Sequence, residues 1–360
     1  MDPWHCYSPK LRPATRKGVL EDLAAPKDWK ILEARPIVGG RGRLVCVANQ
    51  KGGVAKTTTS VNLAAALALR GHRILVVDVD PQANATTGLG IDHRTVELST
   101  YDLMLGDTPF DRVVRPTMID GLHCAPASQD LAGAEVELVG AMARERRLGE
   151  SLESARANYD LIFLDCPPSL GLLTVNALAG AEDLIVPVQC EYYALEGLGQ
   201  LLGSAERVRR ALNPDLRIAG FLMTMYDART KLSSQVADEV RRHFGELVFQ
   251  TVIPRSVRLS EAPSFGEPVL TLDPSSRGSI SYRLLAVEVE ERYRLDVHVP
   301  EPPAREVVLD EPLVEPALAT AVPGPGGRGF GTVAPEPPGL IDAWPRGGPW
   351  TGRDEAGADR

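Results

Sequence analysis

The sequence predicts an α/β fold, a mostly parallel twisted sheet with helices on both faces, and three observations carry that expectation. Short β-branched runs alternate with alanine- and leucine-rich helical stretches, the order expected of strands joined by crossover helices. The runs are nearly continuously apolar instead of alternating with polar residues, which fits strands buried on both faces. The first of them, RLVCVAN, leads through a glycine-containing turn into TTTSVNLAAALALR, a strand-turn-helix unit.

Taken in order, residues 1–42 form a mixed, proline-interrupted extension in which only LEDLAAPKDWKILEA has the pattern of a short helix. The folded domain is expected over residues 43–298. Strands are predicted at 44–47, 74–79, 161–164, 184–188, 218–223 and 248–253 from their β-branched character. Helices are predicted at 56–70, closed by Gly71 as a C-cap, at 195–212 and at 232–244. Residues 299–360 are rich in proline and glycine, a composition that buries too little surface to offset chain entropy, so this tail is expected to be disordered.

The bulk composition excludes several classes. A 360-residue chain that is 44% hydrophobic can bury a sizeable core, and its formal net charge of -9 argues against coating nucleic acid by bulk charge. Contact with DNA would need a local basic patch. The cysteines, Cys6, Cys46, Cys124, Cys166 and Cys190, are odd in number and none is spaced C-x-x-C, so neither a disulfide framework nor a zinc module is suggested. No apolar run approaches the roughly 18 residues of a membrane span, and MDPWHCYSPKLRP lacks the apolar centre of a signal peptide. The expectation is a soluble, cytoplasmic protein.

The stretch VANQKGGVAKTTTS departs from the standard phosphate loop G-x-x-x-x-G-K-[ST], because Gln50 and Ala55 stand where both glycines should be. Its context nevertheless suits phosphate: a helix N-terminus presents unpaired NH groups and the positive end of a dipole. Gly52 and Gly53 let the backbone curl, Lys56 would reach the β- and γ-phosphates, and the Thr57 hydroxyl would hold Mg2+. Further on, VVDVDPQANATTGLG sets Asp78 and Asp80 one residue apart at a strand's carboxyl end, where both point to the ligand crevice. The alternative is a DPQ turn in which the aspartates cap a helix. YDLIFLDCPPSLG ends an apolar strand in Asp165, the Walker B arrangement for Mg2+.

KGGVAKTTT matches the deviant loop K-G-G-x-x-K-[ST], and on it the chain resembles the ParA/MinD class of P-loop ATPases. The resemblance implies ATP and Mg2+ as cofactors, with Lys51, Gly52, Gly53, Val54, Ala55, Lys56, Thr57 and Thr58 cradling the nucleotide. It implies that Lys51 reaches across a nucleotide-sandwich homodimer to the partner's phosphates. Asp80 would position the attacking water, Asp78 would support the metal shell, and Lys51, Lys56 and Asp80 would be catalytic. Ala55 stands where many relatives have glycine, which is tolerable with helical φ there; a left-handed backbone would count against the reading.

The runs VQCEYYALEGLGQLL, FLMTMYDARTKLSSQV and VIPRSVRLSEAPSFGEPVLTLDPSSRG resemble ParA-type (Soj-like) partition ATPases more closely than the broader class. By that resemblance Pro254 contacts the adenine face, with Met225, Asn176 and Glu191 also near the nucleotide. Arg229 and Arg258 belong to a surface that grips nonspecific double-stranded DNA, and Lys231 and Arg255 add to the patch, with Arg241 and Arg242 on the helix between. A ParB-type centromere-binding protein would be the partner that stimulates hydrolysis, and the protein would be nucleoid-associated, without membrane. A MinD-like membrane-surface ATPase is the alternative. It would need a C-terminal amphipathic helix, whereas GLIDAWPRGGPWTGRDEAGADR is broken by proline and glycine. An amidoligase or iron-protein reductase would need a second substrate pocket or cluster cysteines, and neither is visible.

Overall fold

Apolar residues at consecutive positions, as in RLVCV and ILVVD, can all be buried only if a strand is covered on both faces, and this is how they lie. The computed structural model describes residues 41–106, 108–191 and 194–295. Its strands are β1 (Arg43–Val47), β2 (Ile74–Asp78), β3 (Arg115–Pro116), β4 (Leu122–Ala125), β5 (Leu161–Asp165), β6 (Asp183–Gln189) and β7 (Arg217–Thr224). They form one sheet in the order β3-β4-β2-β5-β1-β6-β7, parallel throughout except where β3 meets β4. The helices that bear on the site are α1 (Lys56–Ala68), α2 (Asn84–Gly88), α3 (Leu172–Gly180), α4 (Ala194–Ala211), α5 (Lys231–Phe244), α6 (Val257–Phe265) and α7 (Arg277–Tyr293). The expected N-terminal extension through residue 40, its LEDLAAPKDWKILEA stretch and the 299–360 tail lie outside the described residues.

Alternate residues of each strand feed two cores. Leu44, Cys46, Leu75, Val77, Ile162 and Leu164 join one, with Leu173 of α3, Leu201 of α4 and Val240 of α5. Val45, Val47, Ile74, Val76, Leu161 and Phe163 join the other, with Leu63 and Leu67 of α1 and Leu285 and Val289 of α7. The C-terminal end of α1 closes as the sequence suggests. Gly71 has φ 95°, its NH donates to the Ala68 carbonyl at 2.8 Å, and the His72 NH donates to that of Leu67 at 3.3 Å. This is a Schellman turn, which a glycine at that position permits.

The structure corrects the strand predicted at 248–253. Only single bridges form there, Phe221 with Val248 and Tyr226 with Pro254. The reason is a competing acceptor, because Glu288 of α7 takes the backbone NH groups of Gln250 at 2.8 Å and Thr251 at 3.1 Å. The sequence analysis did not anticipate β3 and β4, whose runs are too short to show a pattern, nor α3, α6 and α7. Pro116 suits its edge position in β3, where no ladder NH is needed.

The two helices that flank the sheet beside the site are locked by a buried charge cluster. Arg70, just past α1, donates from Nε and Nη2 to Glu290 of α7 at 2.6 and 2.7 Å, and His72 Nε2 lies 2.7 Å from Glu290 Oε1. Burial alone would raise the Glu290 pKa, but the bonds from Arg70 and His72 outweigh it and hold the carboxyl below its ordinary value. Glu290→Gln is expected to lower stability by about 2 kcal/mol, below the range for a fully buried pair because the Arg70 side chain, a third exposed, can rehydrate. Urea unfolding at neutral pH measures this. The gap between variant and parent should close in acid, since a depressed carboxyl contributes above an unfolded pKa of about 4.3 and loses that contribution as pH falls through its folded pKa.

Candidate nucleotide site

The ends of β1, β5 and β2 lie side by side, with Val47 paired to Asp165 and Asp165 to Asp78 in register. Three adjacent strands therefore deliver the loop before α1 and two of the predicted aspartates to one edge of the sheet. The loop is shaped by long-range bonds. Buried Asn49 donates through Nδ2 to the Pro187 carbonyl of β6 at 2.8 Å, and its Oδ1 accepts from the Lys51 NH at 3.0 Å. Thr224 Oγ1, at the end of β7, donates to the carbonyl of buried Val54 at 3.0 Å. Neither Asn49 nor Thr224 was singled out from the sequence, whose local pattern carries no signal for them.

Gly53 has φ 72°, as a tight loop requires. Ala55 has φ 67° and ψ 38°, which corrects the expectation of helical φ at that residue. The cause is positional: Ala55 is the N-cap of α1, and the loop must reverse there so that its carbonyl can accept the Thr59 NH at 3.0 Å. No side chain caps the helix, so its first NH groups face the loop, which is the arrangement that receives an anion. The left-handed alanine counts against the loop energetically by about 1 kcal/mol, not against its shape.

Lys56 is 6% exposed, and its Nζ lies 3.4 Å from the Lys51 carbonyl oxygen. Burial lowers its pKa, opposed by the negative charge of Asp165. Asp165 is fully buried and accepts from Thr57 Oγ1 and Ser60 Oγ, each at 2.7 Å. Burial pushes its pKa up against those two bonds. Burial, and then the Asp165 charge, push Asp78 up as well. Two carboxyls that resist ionisation beside an ammonium that resists protonation are suited to an anion carrying a divalent cation, which would restore the charged form of all three. Thr57 and Asp165 could hold that cation. Asp78, Asp80 and Asp165 do not converge as a cluster of three carboxylates among the described residues.

Both predicted aspartates of the DPQ turn also shape the backbone. Asp78 Oδ2 accepts from the Thr86 NH at 2.8 Å and its hydroxyl at 2.7 Å, while Oδ1 accepts from the Asp80 NH at 3.1 Å. Asp80 Oδ1 accepts from the Gln82 NH at 3.0 Å. Ala83 follows with φ 53°. The capping geometry that the sequence offered as the alternative is thus present, and Asp80 remains at the crevice, 5% exposed.

Lys51 turns away from its own loop: its Nζ is 3.7 Å from Glu191 Oε2, with both side chains partly exposed. Met225, at φ 51°, and Pro254 come together because the Tyr226 NH donates to the Ile253 carbonyl and the Arg255 NH to that of Tyr226, each at 3.0 Å. Asn176 is corrected. It is fully buried, its Nδ2 donates to the Arg144 and Leu172 carbonyls, and its Oδ1 accepts from the Leu148 NH, so helix packing consumes its polar atoms. A cleft of about 190 Å³ opens beside Thr57 and Thr58, bounded across α1 by Asn84, Gly88 and Glu267, which the sequence analysis did not name.

The predicted basic residues sit on or just beyond two turns joined by the Tyr226–Pro254 bridge, with Arg258 in the first turn of α6. Arg229 is exposed and donates from Nε and Nη2 to Asp227 at 2.9 and 2.8 Å; that bond, foremost, pulls Asp227 down to about 2. Arg258 lies 3.1 Å from Glu261 and 3.3 Å from Asp273. Lys231 and Arg255 are exposed, and Lys231 opens α5. The four cysteines among the described residues are all buried, with the Cys46 and Cys166 sulfurs 3.4 Å apart.

The loop torsions order two variants about the parent by thermal melting. Ala55→Gly should raise stability by about 0.5 kcal/mol, the left-handed cost of alanine less the extra unfolded-state freedom of glycine. Gly53→Ala should lower it by about 1 kcal/mol from backbone strain alone, since a Cβ there meets nothing within 4 Å.

A family model described as an AAA domain matches residues 42–218. The chain is 54% identical over 248 residues to the sporulation initiation inhibitor protein Soj of Bacillus subtilis, covering 69% of this chain and 98% of that one. It is 51% identical over 251 residues to the chromosome partitioning protein ParA of Myxococcus xanthus, covering 70% and 89%. Among solved structures it resembles a cobyrinic acid a,c-diamide synthase from Mycobacterium smegmatis with bound ADP and magnesium, at 39% identity and TM-score 0.62, covering 71% and 96%. With half of its aligned positions shared across nearly the whole of these partition proteins, and with the phosphate-loop geometry above, the chain belongs to the Soj/ParA family of chromosome-partitioning ATPases.

Proposed function

We propose that this chain is a ParA-type ATPase that segregates chromosomal or plasmid DNA by cycling between an ATP-bound dimer held on DNA and a released form. The observation that carries the reading is the uncapped N-terminus of α1 with buried Lys56 on one side and the Thr57–Asp165 pair on the other, while the second lysine, Lys51, points outward. Lys56 and the α1 NH groups take the β- and γ-phosphates. Thr57 and Asp165 would hold Mg2+, with Asp78 behind them fixing the turn that carries Asp80. Magnesium, when bound, supplies charge neutralisation at the phosphates. Asp80 orients the attacking water, and Met225 and Pro254 border the adenine.

Lys51 leaves Glu191 when two subunits close and meets the phosphates of the partner subunit. The exchange is easy, because an exposed ion pair is worth only about 0–1 kcal/mol. The charge of ATP exceeds what one lysine and one divalent cation offset, so dimerisation becomes dependent on the γ-phosphate. Arg229, Lys231, Arg255 and Arg258 then present one basic surface per subunit to the phosphates of double-stranded DNA. Such contact is sequence-independent and steeply salt-dependent through counterion release. Arg229 must exchange Asp227 for a DNA phosphate, which adds to that salt dependence.

The partner is a ParB-type centromere-binding protein, and the setting is the cytoplasm at the nucleoid. Among the described residues no helix is long and apolar enough to cross a membrane. A diamide synthase like the mycobacterial protein is the second reading, and ATP-dependent DNA binding distinguishes the two.

Co-sedimentation with DNA of arbitrary sequence should require ATP and fail with ADP; retention indifferent to ATP would overturn the partition reading. Asp80→Ala should lower hydrolysis by at least about tenfold and accumulate a dimer on DNA, seen by sedimentation, because a water-positioning group acts after ATP binding. Arg229→Glu should abolish retention while ATP-dependent dimerisation persists. Loss of both together would make Arg229 a structural residue.

A further inference from the structure

A buried carboxylate oxygen without a donor is costly, because its hydration is lost and nothing replaces it. Among the described residues, Glu135 Oε1 is the only carboxylate oxygen in that position. Glu135 belongs to the helix Leu131–Glu137, which Leu131 and Ala134 anchor in the core that also takes Leu173 of α3. Its carboxyl is aimed at the start of α3. A Cβ on Gly171 would collide with Oε1 and lie 3.0 Å from Cδ.

Gly171 is the N-cap of α3, with φ −76° and ψ −173°. Any residue adopts that conformation, so the glycine is required by the space that Glu135 fills and not by its own torsions. No side chain caps the helix, and Val175 is the residue whose NH reaches back to the Gly171 carbonyl, at 3.1 Å. The NH groups of Leu172, Leu173 and Thr174 therefore have no partner within the helix, at the positive end of its dipole. A carboxylate here does from another helix what an N-cap aspartate does from its own.

Helix α3 begins where the loop from Asp165 ends. Pro167 and Pro168 leave that loop few free torsions, and Thr174 Oγ1 donates to the Ser169 carbonyl at 2.6 Å, tying it to the first turn of α3. Pro168 in turn borders the phosphate loop, since its Cβ is 4.0 Å from where a side chain on Gly52 would begin. A shift at the start of α3 is thus passed to both Asp165 and Gly52.

We propose that Glu135 is a positioning residue for ATP hydrolysis: its carboxylate takes the leading NH groups of α3 during turnover and so sets where the 166–171 loop stands against the phosphate loop. The donor that Oε1 lacks is supplied when that loop shifts on the nucleotide. Hydrolysis therefore depends on Glu135 more than ATP binding does.

Steady-state ATP hydrolysis by the full-length protein, with thermal melting alongside, tests this. Glu135→Ala should lower kcat about tenfold while KM for ATP stays within about twofold, because Lys56 and the α1 NH groups are untouched. Gly171→Ala, whose methyl group turns the carboxylate out, should give the same fall, and the double variant should be no worse than either single one. Glu135→Gln keeps an acceptor oxygen and should retain kcat within about threefold of the parent. Unchanged kcat in Glu135→Ala, or additive falls in the double variant, would overturn the proposal. So would equal losses in the alanine and glutamine variants that track their melting temperatures, the mark of packing alone. Turnover of the parent tests the ATPase reading on which the inference rests, so the two fail separately.

Discussion

A buried carboxylate carrying two hydroxyls holds this site together. Asp165 ends β5 beneath the first turn of α1 and takes Thr57 on one oxygen and Ser60 on the other. Hydrogen bonds to a charged group contribute about 1.5–3 kcal/mol each, so the pair adds directional constraint on the pitch and rotation of α1 to the non-directional packing of its buried face. The phosphate loop depends on that placement, because its curvature is the path left between the end of β1 and a helix already pinned to β5. The desolvation that raises the Asp165 pKa is the other side of the same arrangement: the group that orders the loop is also the one with most to gain from a cation.

From Asp165 the constraint passes along the sheet edge. Asp78, paired with it in register, holds Thr86, and the Thr86 hydroxyl accepts the Ala127 NH beyond β4 at 2.9 Å. The turn carrying Asp80 is thus suspended between two strands. On the far side, Val54 is tied to Thr224, and the residue after Thr224 is the left-handed Met225. Ala55, Ala83 and Met225 all hold positive φ at loops that border the site, a concentration of backbone strain that rigid neighbours sustain.

How much of this could be read beforehand follows from sequence distance. The loop from Lys51 to Thr58 and the aspartates at strand ends were legible because a strand-turn-helix and a strand terminus are local patterns. Lys51 facing Glu191, Asn49 reaching Pro187 and Thr224 reaching Val54 were not, since each contact joins residues more than a hundred apart in the chain. The run 248–253 has the composition of a strand, and only the carboxylate of Glu288, supplied from α7, decides otherwise. Asn176 was misplaced for a similar reason: its polar atoms look available until the 144–148 segment packs on α3. The torsion of Ala55 is invisible in a residue name.

The thiol of Cys166 adjoins Asp165, the residue on which the site turns, and lies against Cys46 in a fully buried position. Its hydrogen bond with Cys46, and then burial, raise its pKa well above the ordinary thiol value, and burial pushes Cys190 up to about 12. Oxidants and alkylating reagents attack thiolates that they can reach, and these groups are neither ionised nor reachable in the native fold. Oxidation or alkylation of Cys46 or Cys166 would therefore have to begin with local unfolding, even though sulfur sits one residue from Asp165.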